Sequence, residues 1–144
     1  MGEESTFEQC LRSANGYVEA MHELSYELSD AFFQLSRARY ALSSPSALEQ
    51  LPNSADLPPG SASVTSPADD PPAISLQPAS AEHSAACTRR VAALPPPALR
   101  SAQSRFQHVL ELAVRCARLR LCMHLAVSAS EAQRSHPLED QDLF

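Results

Sequence analysis

The feature that most limits how this chain can fold is a 3,4 alternation of apolar residues that runs through its first third and stops at a proline. Residues seven apart read Phe7, Ala14, Met21, Leu28, Leu35 and Leu42, and between them fall Cys10, Tyr17, Leu24, Ala31 and Ala38. All are apolar or aromatic. That spacing draws one stripe along a helix, and it is the spacing of a coiled-coil seam. Other positions are mostly polar, among them Glu19, Glu23, Glu27, Asp30, Gln34 and Arg37, while Phe32 and Phe33 widen the stripe. The pattern predicts a helix over 5–43. Ser5 followed by Glu8 has the form of a capping box, in which each side chain satisfies an amide at the helix start. Asn15-Gly16 is a weak point, because glycine costs about 1 kcal/mol relative to alanine inside a helix, so the stable helix is expected from near Ser13. Pro45 ends it: the residue before a proline is driven out of the α region, and proline has no amide to donate.

From 44 to 94 no period is sustained. Eight prolines lie between Pro45 and Pro78, with serine and alanine between them. Such a composition buries too little apolar surface to offset the entropy of ordering it. A disordered linker over 44–94 is expected, joining two elements rather than belonging to either.

Pro95-Pro96-Pro97 predicts the start of a second helix over 95–135, since proline is tolerated in a first turn whose amides have no partner anyway. A seam follows at Leu99, Ala102, Phe106, Val109, Ala113 and Cys116, flanked by Leu110 and Ala117. Past Leu119, the residues Leu121, Cys122, Met123, Leu125 and Val127 cover most of the circumference, and a helix apolar all round wants burial on several sides. The tail, 136–144, is acidic and expected to be loose. The expected fold class is all-α: two long helices packed as an antiparallel coiled-coil hairpin, although the linker is long enough for parallel packing as well. Several seam positions are Ala or Cys, which bury little, so the C-terminal half of the second helix is expected to meet another protein.

The residues argue against chemistry. The net charge is −6 and all eleven basic residues are arginine; an acidic chain is a poor nucleic-acid binder. Arg100, Arg105, Arg115, Arg118 and Arg120 make the second helix basic, against Glu19, Glu23, Glu27 and Asp30 of the first. Flanking charges of that kind set pairing and orientation. The segment Met1–Glu8 is acidic and lacks the apolar core of a secretory signal. The four cysteines, none in a CxxC pair, are therefore expected as free thiols in a reducing compartment. The longest nearly apolar run, 119–127, is broken by Arg120 and His124 and falls short of the roughly 20 residues a membrane span needs, so membrane association is expected to be peripheral. Glu19-x-x-His22 has the spacing of a di-metal bundle element, but such sites need two of them, and the second helix offers only the reversed His108-x-x-Glu111. Cys122 and His124 lie on different faces of the helix, unlike zinc-ligand pairs. With three glycines and no Gly-x-Ser-x-Gly elbow there is no phosphate loop and no serine nucleophile motif. No catalytic residue, metal or cofactor is expected, and the chain is read as a binding protein.

Two stretches resemble one family. The first, Phe33-Gln34-Leu35-Ser36-Arg37-Ala38-Arg39-Tyr40-Ala41-Leu42, closes the first helix. The second, Leu94-Pro95-Pro96-Pro97-Ala98-Leu99-Arg100-Ser101-Ala102-Gln103-Ser104-Arg105-Phe106, opens the second helix. In this order, split by a variable loop, they resemble the coiled-coil assembly factors of the vacuolar proton-pumping ATPase, the peripheral coiled-coil-domain-containing kind that acts at the endoplasmic reticulum. In that family an Ala-Arg-Tyr signature ends the first helix and a Leu-Arg-x-Ala-Gln-x-x-Phe signature opens the second. The chain departs from the pattern at Val91–Leu94, where members often carry an aromatic and a glycine, and at Ser43-Ser44, where a glycine is common. The resemblance implies a non-catalytic factor on the cytosolic face of the endoplasmic reticulum, held by a membrane-embedded assembly partner and helping the membrane sector of the pump to assemble. It implies no small-molecule substrate. The residues it marks as partner-binding or packing are Arg37, Ala38, Arg39, Tyr40, Leu99, Arg100, Ala102, Gln103 and Phe106. The same helices without the motifs would fit a generic coiled-coil adaptor or tether with an unrelated client.

Overall fold

A computed structural model describes residues 2–42, 62–67, 73–91 and 94–134. Expectations for the first part of the linker and for the acidic tail fall outside the described residues. The described chain is mostly helical. Helix α1 (Gly2–Leu42) and helix α3 (Pro97–Arg134) are long and pack against each other. They run in opposite directions: Gly16 faces Leu119, Glu23 pairs with Arg115, Glu27 with Arg105, and Phe32 meets Phe106.

Helix α1 starts at Gly2, so Ser5 sits within its first turns rather than at a cap. It also runs unbroken through Asn15-Gly16. The Asn15 side chain donates a 2.9 Å hydrogen bond to Glu19 one turn on, and the bare face of Gly16 is covered by Leu119. A methyl group placed on Gly16 would lie 3.6 and 3.7 Å from the two Leu119 methyls, ordinary contact distance. Gly16→Ala is therefore expected to stabilise the chain by about 0.5–1 kcal/mol, seen as a higher melting midpoint by circular dichroism. A lower midpoint would mean that the helices need glycine there in order to approach.

Helix α3 opens as its prolines predict. The Pro96 carbonyl accepts bonds from the amides of Leu99 (3.0 Å) and Arg100 (3.4 Å), which leaves Pro97 as the first helical residue.

Both seams follow the pattern read in the sequence only in part. On α1 the row Cys10, Tyr17, Leu24, Ala31 and Ala38 does face α3, with Ala20, Ala31 and Ala38 fully buried. The other row divides: Ala14, Leu35 and Leu42 are half-buried, Phe7, Met21 and Leu28 are exposed, and the small or polar Ser13, Ala20, Glu27 and Gln34 are more buried than those three. On α3 the expected seam residues Ala102 and Cys116 are buried and Leu99, Phe106 and Val109 half-buried, while Ala113 is exposed and Leu112, outside the expected seam, is buried. Arg105 bridges the two helices at their edge, paired with Glu27 and Asp30 (contacts of 2.6 and 3.0 Å) and with its side chain 42% exposed, while Val109, Leu112 and Cys116 form the inner line of α3. The alanines of α1 let the two backbones close over that line.

The segment expected to be structureless carries order. Strands β1 (Ser63–Thr65) and β2 (Ser75–Gln77) pair antiparallel, with Val64 opposite Leu76 and the hydroxyls of Thr65 and Ser75 bonded at 2.6 Å. The ribbon is tied to α3 by Arg118, whose Nε donates to the Ile74 carbonyl. Helix α2 (Ala81–Val91) follows. Its cues are local. No proline lies between Pro78 and Pro95, and alanine is frequent. The Ser80 hydroxyl accepts from the His83 amide at 3.2 Å, an N-cap. Glu82 in the first turn and Arg89 and Arg90 in the last complement the helix dipole. Among the described residues, no helix is long and apolar enough to cross a membrane.

Candidate partner-binding site

The two stretches that carry the family resemblance meet at one end of the helix pair. Ala38 is buried against α3 and Ala102 against α1 and α2. Both are small, and neither keeps more than 1% of its surface exposed. Phe106 meets Phe32 edge-on, with ring centroids 5.4 Å apart and planes at 88°, a geometry in which the positive ring edge meets the negative face. Two shallow grooves flank this junction. One, of about 270 Å³, is lined by Gln34 and Arg37 from α1 and by Pro97, Ala98 and Ser101 from the start of α3. The other, about 230 Å³ and largely apolar, lies between Leu35, Leu99, Ala102 and Phe106 and is closed on one side by Cys87 and Thr88 of α2.

Helix α2 is held there by polar bonds. Gln103 Nε2 donates to the Ser84 carbonyl at 2.9 Å, and Gln107 Nε2 bonds the Ser84 hydroxyl at 3.0 Å. Thr88, the one buried polar side chain among the described residues, donates to the Ala85 carbonyl within its own helix at 3.0 Å. The marked residues therefore divide into two sets. Ala38, Leu99, Ala102, Gln103 and Phe106 pack the junction. Arg37, Arg39, Tyr40 and Arg100 face outward, Tyr40 with 85% of its surface exposed. The Arg37 guanidinium lies 6.0 Å from the Phe33 ring centroid, at the limit of a cation–π contact. Around the end of α1 this leaves two arginines and two exposed aromatic rings, a composition frequent at protein interfaces.

Ser84, Cys87 and Thr88 complete this end and were not among the residues read as functional in the sequence. Their signal was the 3,4 spacing 84, 87, 88, 91 behind a serine cap.

A ladder of ion pairs runs along one edge of the helix pair. Glu23 faces Arg115 at 3.6 Å and His108 at 3.8 Å, and Glu27 and Asp30 share Arg105. Glu19 instead bonds Asn15, and His22 is exposed. The hydrogen-bonded Glu27 carboxylate, then the charges of Glu27 and Asp30, raise the Arg105 guanidinium above its already high ordinary pKa. A raised arginine contributes its stability at every pH below its ordinary titration, so the pair holds throughout the physiological range. Arg105→Glu would set a third carboxylate against Glu27 and Asp30. The melting midpoint is expected to fall, and adding Glu27→Arg in the same chain to restore part of it. Equal midpoints in all three chains would remove this pair from the forces that orient the helices.

The four cysteines are free, with Cys116 buried and the others half-buried. Among the described residues, no three histidine, cysteine or acidic side chains gather where they could hold a metal ion. No family model, curated protein or solved structure matches this chain.

Proposed function

We propose that the chain is a non-catalytic assembly factor for the membrane sector of the vacuolar proton-pumping ATPase. In this reading it works on the cytosolic face of the endoplasmic reticulum as an antiparallel coiled-coil hairpin. A membrane-embedded assembly partner holds it there. The observation that supports the reading is the meeting of the two family-like stretches, far apart in sequence, at one end of the helix pair. Their small and apolar members pack there, and their arginines and Tyr40 face outward beside two open grooves. An assembly factor of this kind needs a long helical surface and recognition residues held on rigid elements. It needs neither a pocket chemistry nor a membrane span of its own.

The test separates recognition from packing. Arg39 is exposed and lies beside the buried Ala38, so Arg39→Glu is expected to leave helicity unchanged. Recovery of pump membrane-sector subunits and of the membrane-embedded partner with the tagged chain is expected to drop by about tenfold, the effect of one lost interface arginine. Loss of helicity with that variant would instead assign Arg39 to the packing of the pair.

A further inference from the structure

Helix α1 carries a second apolar stripe that α3 touches only at its last member, where Phe32 meets Phe106. Phe7, Leu11, Ala14, Val18, Met21, Ser25, Leu28 and Phe32 follow one another at steps of four and three, the step of a coiled-coil seam. The six large members keep between 37% and 65% of their surface exposed although α1 is already packed on α3 through the neighbouring row of Cys10, Tyr17, Leu24 and Ala31. The stripe is also a palindrome. Reversed about its midpoint, Phe7 falls on Phe32, Leu11 on Leu28, Ala14 on Ser25 and Val18 on Met21, so large residues meet large and small meet small.

We infer that this stripe is the interface of a homodimer, in which α1 pairs with α1 of a second copy, antiparallel and about a two-fold axis between Val18 and Met21. A two-fold contact must be self-complementary, each residue meeting its own mate's counterpart, and the palindrome supplies that complementarity layer by layer. The size is adequate. Six large side chains, each about half exposed, remove roughly 1,000–1,200 Å² from water over the two copies, which clears the approximately 1,000 Å² that separates specific interfaces from casual contacts. The charges permit it. On the flank away from α3 the positions beside the stripe are Glu8, Asn15, His22, Ser29 and Ser36, and antiparallel pairing brings Glu8 beside Ser29 and Ser36 of the second copy rather than beside another carboxylate. The stripe lies around the helix from Phe33, Arg37 and Tyr40, so the dimer leaves the motif end open.

The experiment is sedimentation equilibrium of the full chain over a range of concentrations, with two variants and their mixture. The unmodified chain is expected at twice its 15.6 kDa mass. Val18→Glu and Met21→Lys, both at exposed positions and so expected to keep full helicity by circular dichroism, should each raise the dimer dissociation constant on the order of 100-fold. Mixed together they should dimerise again, because residue 18 of one copy faces residue 21 of the other. A chain that stays monomeric at high concentration overturns the proposal and leaves the stripe to a different helical protein. A dimer that survives both variants overturns it by placing the interface elsewhere. Two monomeric variants that fail to rescue each other overturn the antiparallel pairing. None of these outcomes depends on recovery of pump subunits, so they are distinguishable from the failure of the assembly-factor reading.

Discussion

Leu112→Ala is expected to lower the unfolding free energy by about 2–4 kcal/mol, whereas Leu110→Ala, two residues away, should cost well under half of that. Leu112 is the only large aliphatic side chain that is buried among the described residues; it is 4% exposed, and its neighbour Leu110 is 45% exposed. Among the described residues the other buried apolar side chains are Ala20, Ala31, Ala38, Ala102 and Cys116, and none of these is large enough to take over the lost packing. The value falls short of the upper range for leucine truncation because two helices with open flanks can draw together over a cavity. The midpoint of a thermal melt should drop on the order of 10 °C for Leu112→Ala. The pair of variants also reports the rotation of α3. The apolar spacing alone places Leu110 on the flank of the seam and leaves Leu112 off it. Equal losses at both positions, or the larger loss at Leu110, would contradict the turn of α3 that brings Leu112 to the inner face.

Ala31→Leu is expected to destabilise the helix pair by about 1–3 kcal/mol by the opposite route. Ala31 exposes no surface and sits one residue from Asp30, on the row that faces α3. Three added carbons have no space to enter, so either the helices separate or the leucine adopts a poor rotamer. Separation would lengthen the contacts from Arg105 to Glu27 and Asp30, so the packing and ion-pair losses are coupled and their sum is not additive. The substitution would raise apolar content and keep helix propensity high. A sequence pattern alone therefore scores it as neutral or favourable. A raised midpoint in Ala31→Leu would show that the helices do not close over this position.

How much of this was legible in the sequence follows from these residues. The two long helices were, because a 3,4 spacing sustained from Phe7 to Leu42 admits few other structures and the prolines mark both breaks. The predicted bounds of 5–43 and 95–135 lie within three residues of Gly2–Leu42 and Pro97–Arg134. The face that each helix buries was only half legible. Periodicity identifies apolar rows, and α1 has two of them around its circumference; which one meets α3 depends on Ala20, Ala31 and Ala38 being small and on Arg105 finding Glu27 and Asp30. Those are tertiary facts, and an arginine is assigned to the outside by type. Helix α2 was hidden by its neighbourhood. The prolines up to Pro78 mask the sixteen proline-free residues that follow them, although Ser80, Glu82 and Arg89 are ordinary start and stop signals. At the motif end, the partition into packing and outward-facing residues needed the structure, since Arg39 and Ala38 are adjacent in sequence and opposite in burial.

The proposed client is tested by affinity purification of the tagged full chain from mild-detergent extracts of its own cells, with the co-purifying proteins identified by mass spectrometry. Membrane-sector subunits of the proton pump are expected, together with a membrane-embedded assembly partner of the endoplasmic reticulum. Recovery of neither, with some other helical partner returning reproducibly, would overturn the proposal and leave the helix pair as an adaptor for a different client.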